Sequence, residues 1–159
     1  MWAADCAERV LPLFEAEAPD DLRARDGIDR ARAYGRGELD SASQIKRRFE
    51  AGRAAASAVG PAAVAAARSA GQASGVAHMG AHALGAAAYA AKAAGLAATD
   101  FEAGRAAEVR WQITHLTRES QEALGELPPL GENSSGPLGA GLLASGVLAL
   151  TIREIQAAT

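Results

Sequence analysis

Apolar positions along this 159-residue chain recur at steps of three and four rather than two, the spacing that lays a stripe along one side of a helix. In residues 2–16, Trp2, Cys6, Val10, Leu13 and Phe14 follow it. Pro12 lies inside that run and is expected to kink or end the helix near residue 11. The turn "APDD" at 18–21 offers Asp20 or Asp21 as N-cap of a second helix reaching about Tyr34. After the glycines of "GRGELDS", Asp40 or Ser41 opens a third helix that Gly60 ends. Pro61, at a first-turn position, starts a fourth that the pattern carries unbroken to about Ala94. Thr99 or Asp100 caps a fifth, through roughly Leu124. Residues 125–137, "GELPPLGENSSGP", hold the prolines and glycines of a long loop, and a last helix is expected from Leu138 onward.

The fourth of these is apolar or small on nearly every face, which marks the buried centre of a bundle. The expected fold class is therefore all-α: an alanine-rich bundle of about five to six helices around a long central helix. The length suits one ordinary domain. Residues 1–130 read as the helical domain, and 131–159 as a loop plus a C-terminal helix packed on it. Hydrophobic residues make up 49 % of the chain and aromatic ones 4 %, so the core must gain its contacts by close helix approach rather than by bulk.

Charge adds little, since the net value is −3. No basic stripe with stacking aromatics is visible, so nucleic acid is not expected as a partner. The apolar stretch Leu138–Ile152 is shorter than the roughly 20 residues a membrane helix needs, and no membrane role is expected. One cysteine, Cys6, excludes an internal disulfide. The N-terminal "MWAADCAERV" carries Asp5, Glu8 and Arg9 where a signal peptide would be apolar. A cytoplasmic location is the expectation.

Candidate chemistry is sparse. His78 and His82 stand one helical turn apart in a glycine-lined seam that also holds Gly71, Gly75 and Gly85. Such a pair can place two imidazoles on one metal, as an H-E-x-x-H helix does. Here Met79 replaces the glutamate, and a third ligand such as Asp5, Glu108 or His115 would have to come from elsewhere. The alternatives are packing histidines with hydrogen-bonded rings, or a contact to a partner. Glu108, Trp111, Gln112 and His115 share one face of the fifth helix, where Trp111 is either a packing residue or an interface anchor. Cys6 reads as a small buried hydrophobe. The loop "GENSSGPLGAG" lacks the lysine of a phosphate-binding loop, and Asn133-Ser134-Ser135 matches a glycosylation acceptor. No catalytic set and no cofactor is expected, and the chain is not read as an enzyme.

The segments "WAADCAERVLPLFE", "PDD", "ARAYGRGE", "AAARSAGQASGVAHMGAHALGAAAYAAKAA" and "EVRWQITHL" together resemble the Imm-five-like immunity proteins of bacterial polymorphic toxin systems, from about Trp2 to Leu127. Gln72 stands where the resemblance implies a histidine, and residues from about Gly131 depart from the pattern. The resemblance implies an all-helical protein that binds a cognate protein toxin and blocks it by occlusion. Arg47, Glu50, Trp111 and His115 are the candidate contacts. A homodimer through the C-terminal helix is a further expectation, and a metal site built on His78, His82 and Asp5 is the competing one.

Overall fold

A helical hairpin of small residues forms the centre. In the computed structural model, which describes residues 1–134 and 136–159, α5 (Pro61–Gly75) and α6 (His82–Ala97) lie against each other along their length. Gly75 meets the His82 ring, Gln72 meets Gly85, and the Ser69 hydroxyl donates to the Ala86 carbonyl at 2.7 Å. That ladder fixes an antiparallel register. The single long helix expected over Pro61–Ala94 is thus corrected to two helices joined by a turn at 76–81. Gly75 precedes that turn and Gly80 lies within it, and glycine in a helix interior forgoes roughly 1 kcal/mol relative to alanine. Folding back buries the small faces of both halves against each other, and that burial outweighs helix continuity.

The remaining helices wrap this hairpin. The helices α1 (Trp2–Glu15), α2 (Arg23–Gly35), α3 (Ser41–Arg47) and α4 (Glu50–Arg53, continued as a 3-10 turn through Ser57) come before it in the chain. After it come α7 (Phe101–Thr114), α8 (Arg118–Gly125), a 3-10 turn at Leu142–Ala144 and α9 (Gly146–Gln156). The fold is all-helical, with more and shorter helices than the five to six expected. α1 lies across both arms of the hairpin, α2 and α4 cover α5, and α7 and α9 cover α6. Among the described residues Phe14, Leu11, Ile28, Leu84, Leu138, Ile152 and Ile155 are the largest apolar side chains with essentially no exposure, and they belong to one core with the hairpin's alanines.

Pro12 does not end α1, which continues to Glu15 with the proline inside it. Asp40 caps α3 by accepting from the Ser43 N–H at 2.8 Å, and Asp100 caps α7 by accepting from Ala103 at 3.0 Å. Asp20 and Asp21 do not cap α2, whose N-cap is Leu22, although Asp21 accepts from the Arg23 N–H. The third helix is shorter than expected, broken at Arg48–Phe49. The fifth breaks at His115–Leu116, because Thr117 caps a new helix by accepting from the Ser120 N–H. The last is α9 alone, starting at Gly146 instead of Leu138, and it packs on α6 and α7 with Leu148, Ile152 and Ile155 buried. Leu142 and Leu150 stay exposed. Among the described residues no helix is long and apolar enough to cross a membrane. In the acceptor pattern Asn133-Ser134-Ser135, Ser135 lies outside the described residues.

Candidate functional site

Two recesses hold most of the side chains that the sequence singled out, and they lie on different parts of the bundle. The first sits between α1, α2 and the end of α7. Its volume is about 380 Å³, and Asp5, Glu8, Arg9, Arg32, Trp111 and His115 line it. Trp111 and His115 are one turn apart, so their rings stack, with centroids 4.1 Å apart and planes tilted by 19°. The Arg9 guanidinium lies over the Trp111 ring at 3.9 Å, a cation–π contact. From there the Arg9 Nε–H donates to both oxygens of Glu108, at 2.9 and 3.1 Å. Glu108 is nearly buried, and the Gln112 side chain donates to it at 3.2 Å. The Arg32 guanidinium donates to Asp5 at 2.8 Å and also pairs with Glu8. Trp111 is partly covered and His115 exposed, so the stack is held from below and open above.

The second recess is a cleft of about 810 Å³ between the α3–α4 segment and α5, at the turn of the hairpin. It exists because α4 sits unusually close to α5. A Cβ on Gly71 would lie 2.7 Å from the Gly52 Cα, so only glycine allows this approach. Arg48, Phe49 and Arg53 come from one wall, and Arg68, Gln72, His78 and His82 from the other. A smaller recess of about 300 Å³ shares Gln72, His78 and His82 and continues toward Tyr89 and the Leu142–Leu143 turn.

The histidine pair belongs to this cleft. His82 is half-buried and His78 exposed, and their ring centroids are 6.2 Å apart. With the Gln72 amide oxygen facing the ring, the His82 Nδ1–H donates to Oε1 at 2.8 Å. Nε2 is then the unprotonated nitrogen. Burial, with the positive charge of His78 and Arg48 nearby, pushes the His82 pKa down to about 4, so the ring is neutral at physiological pH. Gly75 is what admits this ring, since a Cβ there would stand 2.9 Å from the His82 Cγ.

The expected metal set does not come together. Asp5 is paired to Arg32 in the other recess, as is His115 beside Trp111, and Glu108 is bound by Arg9. Among the described residues no three of the His, Cys, Asp and Glu side chains are placed to hold a metal ion. Cys6 is fully buried, and burial with the nearby Glu108 carboxylate raises its pKa well above the usual thiol range.

Arg47 and Glu50 form a third patch, on the α2–α3–α4 surface. The Arg47 Nε–H donates to Glu50 at 2.9 Å and its Nη2 to Asp26 at 3.1 Å, while Arg30 reaches both Asp26 and Glu50. The four candidate contacts are therefore divided: Trp111 and His115 stand together, and Arg47 and Glu50 stand in a separate ion-pair network. Sequence reasoning missed Arg48, Phe49 and Arg53 as cleft residues. The break that turns them toward α5 falls at Arg48–Phe49, and no proline or glycine marks it.

A family model described as "Imm-5 like putative immunity protein" matches residues 1–119, which span both recesses and end within α8. No curated protein and no solved structure matches the chain.

Proposed function

The chain belongs to that Imm-5 like immunity family, and from this premise we propose that it binds a cognate bacterial toxin and neutralises it by occlusion. Inhibition of this kind needs a rigid surface and a few anchoring side chains rather than a catalytic set. The observation that carries the reading is the Trp111–His115 stack with Arg9 on the tryptophan ring. Tryptophan and arginine are the side chains most enriched among binding hot spots. Here both are already ordered, so little rotamer freedom is lost on docking. Asp5, Glu8 and Arg32 supply charge around them. Arg47 and Glu50 take a lesser part in this reading, because each is already neutralised within the chain.

The test is protection. Toxins of polymorphic toxin systems, encoded in the genome that carries this chain's gene, are each expressed in a sensitive bacterium, and survival is measured with the wild-type chain and with Trp111→Ala, His115→Ala and Arg47→Glu. Protection by the wild type, lost in the first two variants and retained in the third, is the expected result. Full protection by a folded Trp111→Ala protein removes this face from the contact. Failure of the wild type to protect against any of these toxins or to co-purify with one overturns the immunity reading itself.

A further inference from the structure

Among the described residues nine arginines pair with a carboxylate. Among the described residues Arg48, Arg53, Arg68, Arg110 and Arg153 do not, and three of these five line the one cleft at the hairpin turn. Among the described residues no aspartate or glutamate lines it. In a chain of net charge −3, three arginines without a carboxylate partner lining one cleft is an arrangement that folding alone does not call for, although Arg48 also donates to the Ile45 carbonyl at 2.5 Å. Like charges repel, and the two walls meet instead at the close Gly52–Gly71 approach.

Guanidinium groups present forked donors that match phosphate oxygens. Phe49 stands beside them, 57 % exposed, with the Arg48 guanidinium stacked on its ring at 4.2 Å. An exposed aromatic ring next to a cluster of arginines is the chemistry that holds a planar base and its phosphates together. The volume, about 810 Å³, lies within the range of small-molecule pockets. Basic groups gathered in one recess on an acidic chain, rather than spread as a stripe, suit a small ligand better than a nucleic-acid strand. On the histidine side, the proton placed on His82 Nδ1 leaves the lone pair on Nε2, and His78 is exposed with both nitrogens available as donors when protonated.

We propose that this cleft is a binding site for a small organic phosphate of the nucleotide class, with Arg53 and Arg68 taking the phosphates and Phe49 with Arg48 taking the ring. The site is separate from the Trp111–His115 face, so it stands or falls independently of toxin binding.

Calorimetric titration of the full chain at low salt with ATP, inorganic pyrophosphate and adenosine tests it. ATP is expected to bind more tightly than pyrophosphate, and both more tightly than adenosine. Arg53→Ala and Arg68→Ala, both at exposed positions, each weaken ATP by roughly tenfold or more. Phe49→Ala weakens ATP and leaves pyrophosphate unchanged. Arg110→Ala, an unpaired arginine away from the cleft, changes nothing. In a parallel readout, ATP moves the His82 imidazole NMR signals, and Arg68→Ala shifts the midpoint of that movement to roughly tenfold higher ATP. Equal affinity for ATP and pyrophosphate overturns the nucleotide assignment. Equal loss in Arg110→Ala, tighter binding of single-stranded DNA than of ATP, or no binding by the wild type overturns the site.

Discussion

Trp2 and Gln112 are 110 positions apart in sequence, yet the Trp2 indole N–H donates to the Gln112 backbone carbonyl at 2.9 Å in the bundle interior. The Gln112 side chain in turn donates to the Ala87 carbonyl of α6 at 3.1 Å. One residue of α7 thus holds the first turn of α1 and the middle of the hairpin together, with no exposure of its own.

Replacing Trp2 with phenylalanine keeps most of the ring but removes the donor and leaves a space where the indole was. A loss of about 1–3 kcal/mol is expected. Urea denaturation followed by circular dichroism checks it, and a midpoint equal to that of the wild type would show that the hydrogen bond contributes nothing net.

Arg9→Met should destabilise the protein by about 2–4 kcal/mol, because it strands the nearly buried Glu108 carboxylate without its cation. Adding Glu108→Gln removes the stranded charge, so the double variant is expected to be more stable than Arg9→Met alone. Additive losses in this double-mutant cycle would mean that the pair does not interact as the geometry indicates.

The depressed His82 pKa gives a specific pH dependence. An unfolded histidine takes up its proton near pH 6.5, whereas the folded one does so only near 4. Between these values the unfolded chain binds more protons, so stability falls as the pH drops from about 7 toward 4. The contribution is about 1–2 kcal/mol once the ring's partial contact with water is discounted. His82→Gln should lack this limb of the pH–stability curve. If both proteins lose stability in parallel over that window, other groups are responsible.

Cys6 should resist alkylation in the folded protein, since it is fully buried and its pKa is raised. A maleimide reagent is expected to label it only as fast as the protein unfolds, with the rate rising steeply in urea. Immediate stoichiometric labelling in buffer would place the thiol at the surface.

How much of this was legible in the residues can be read from individual helix ends. Asp40 and Asp100 were recognisable caps, because a carboxylate three residues before a backbone N–H acts locally. Thr117 caps α8 by the same local signal, and the threonine before Arg118-Glu119-Ser120 could have been read that way. The break between α5 and α6 was not legible. Residues 61–97 are mostly small and apolar, and the pattern is the same whether the chain runs straight or folds back on itself. Which one forms depends on burial between the halves, a tertiary quantity. The histidines illustrate the same gap. Their spacing of four suggested one helix face, but His78 belongs to the turn and His82 is the first residue of α6. The cleft arginines come from segments whose meeting depends on Gly52 and Gly71 in different helices, a relation that spacing does not express.

The alanine hairpin has a consequence for how the protein meets anything it binds. Alanine has no rotamers to give up, so ordering its side chains on folding carries no entropic penalty. A core of Ala65, Ala66, Ala67 and Ala70 against Ala86, Ala87, Ala90 and Ala91 has nothing to rearrange when a partner presses on the outer helices. Deformation there must move whole backbones that already touch. The frame is stiff where its two arms meet because the alanines there have no adjustable parts.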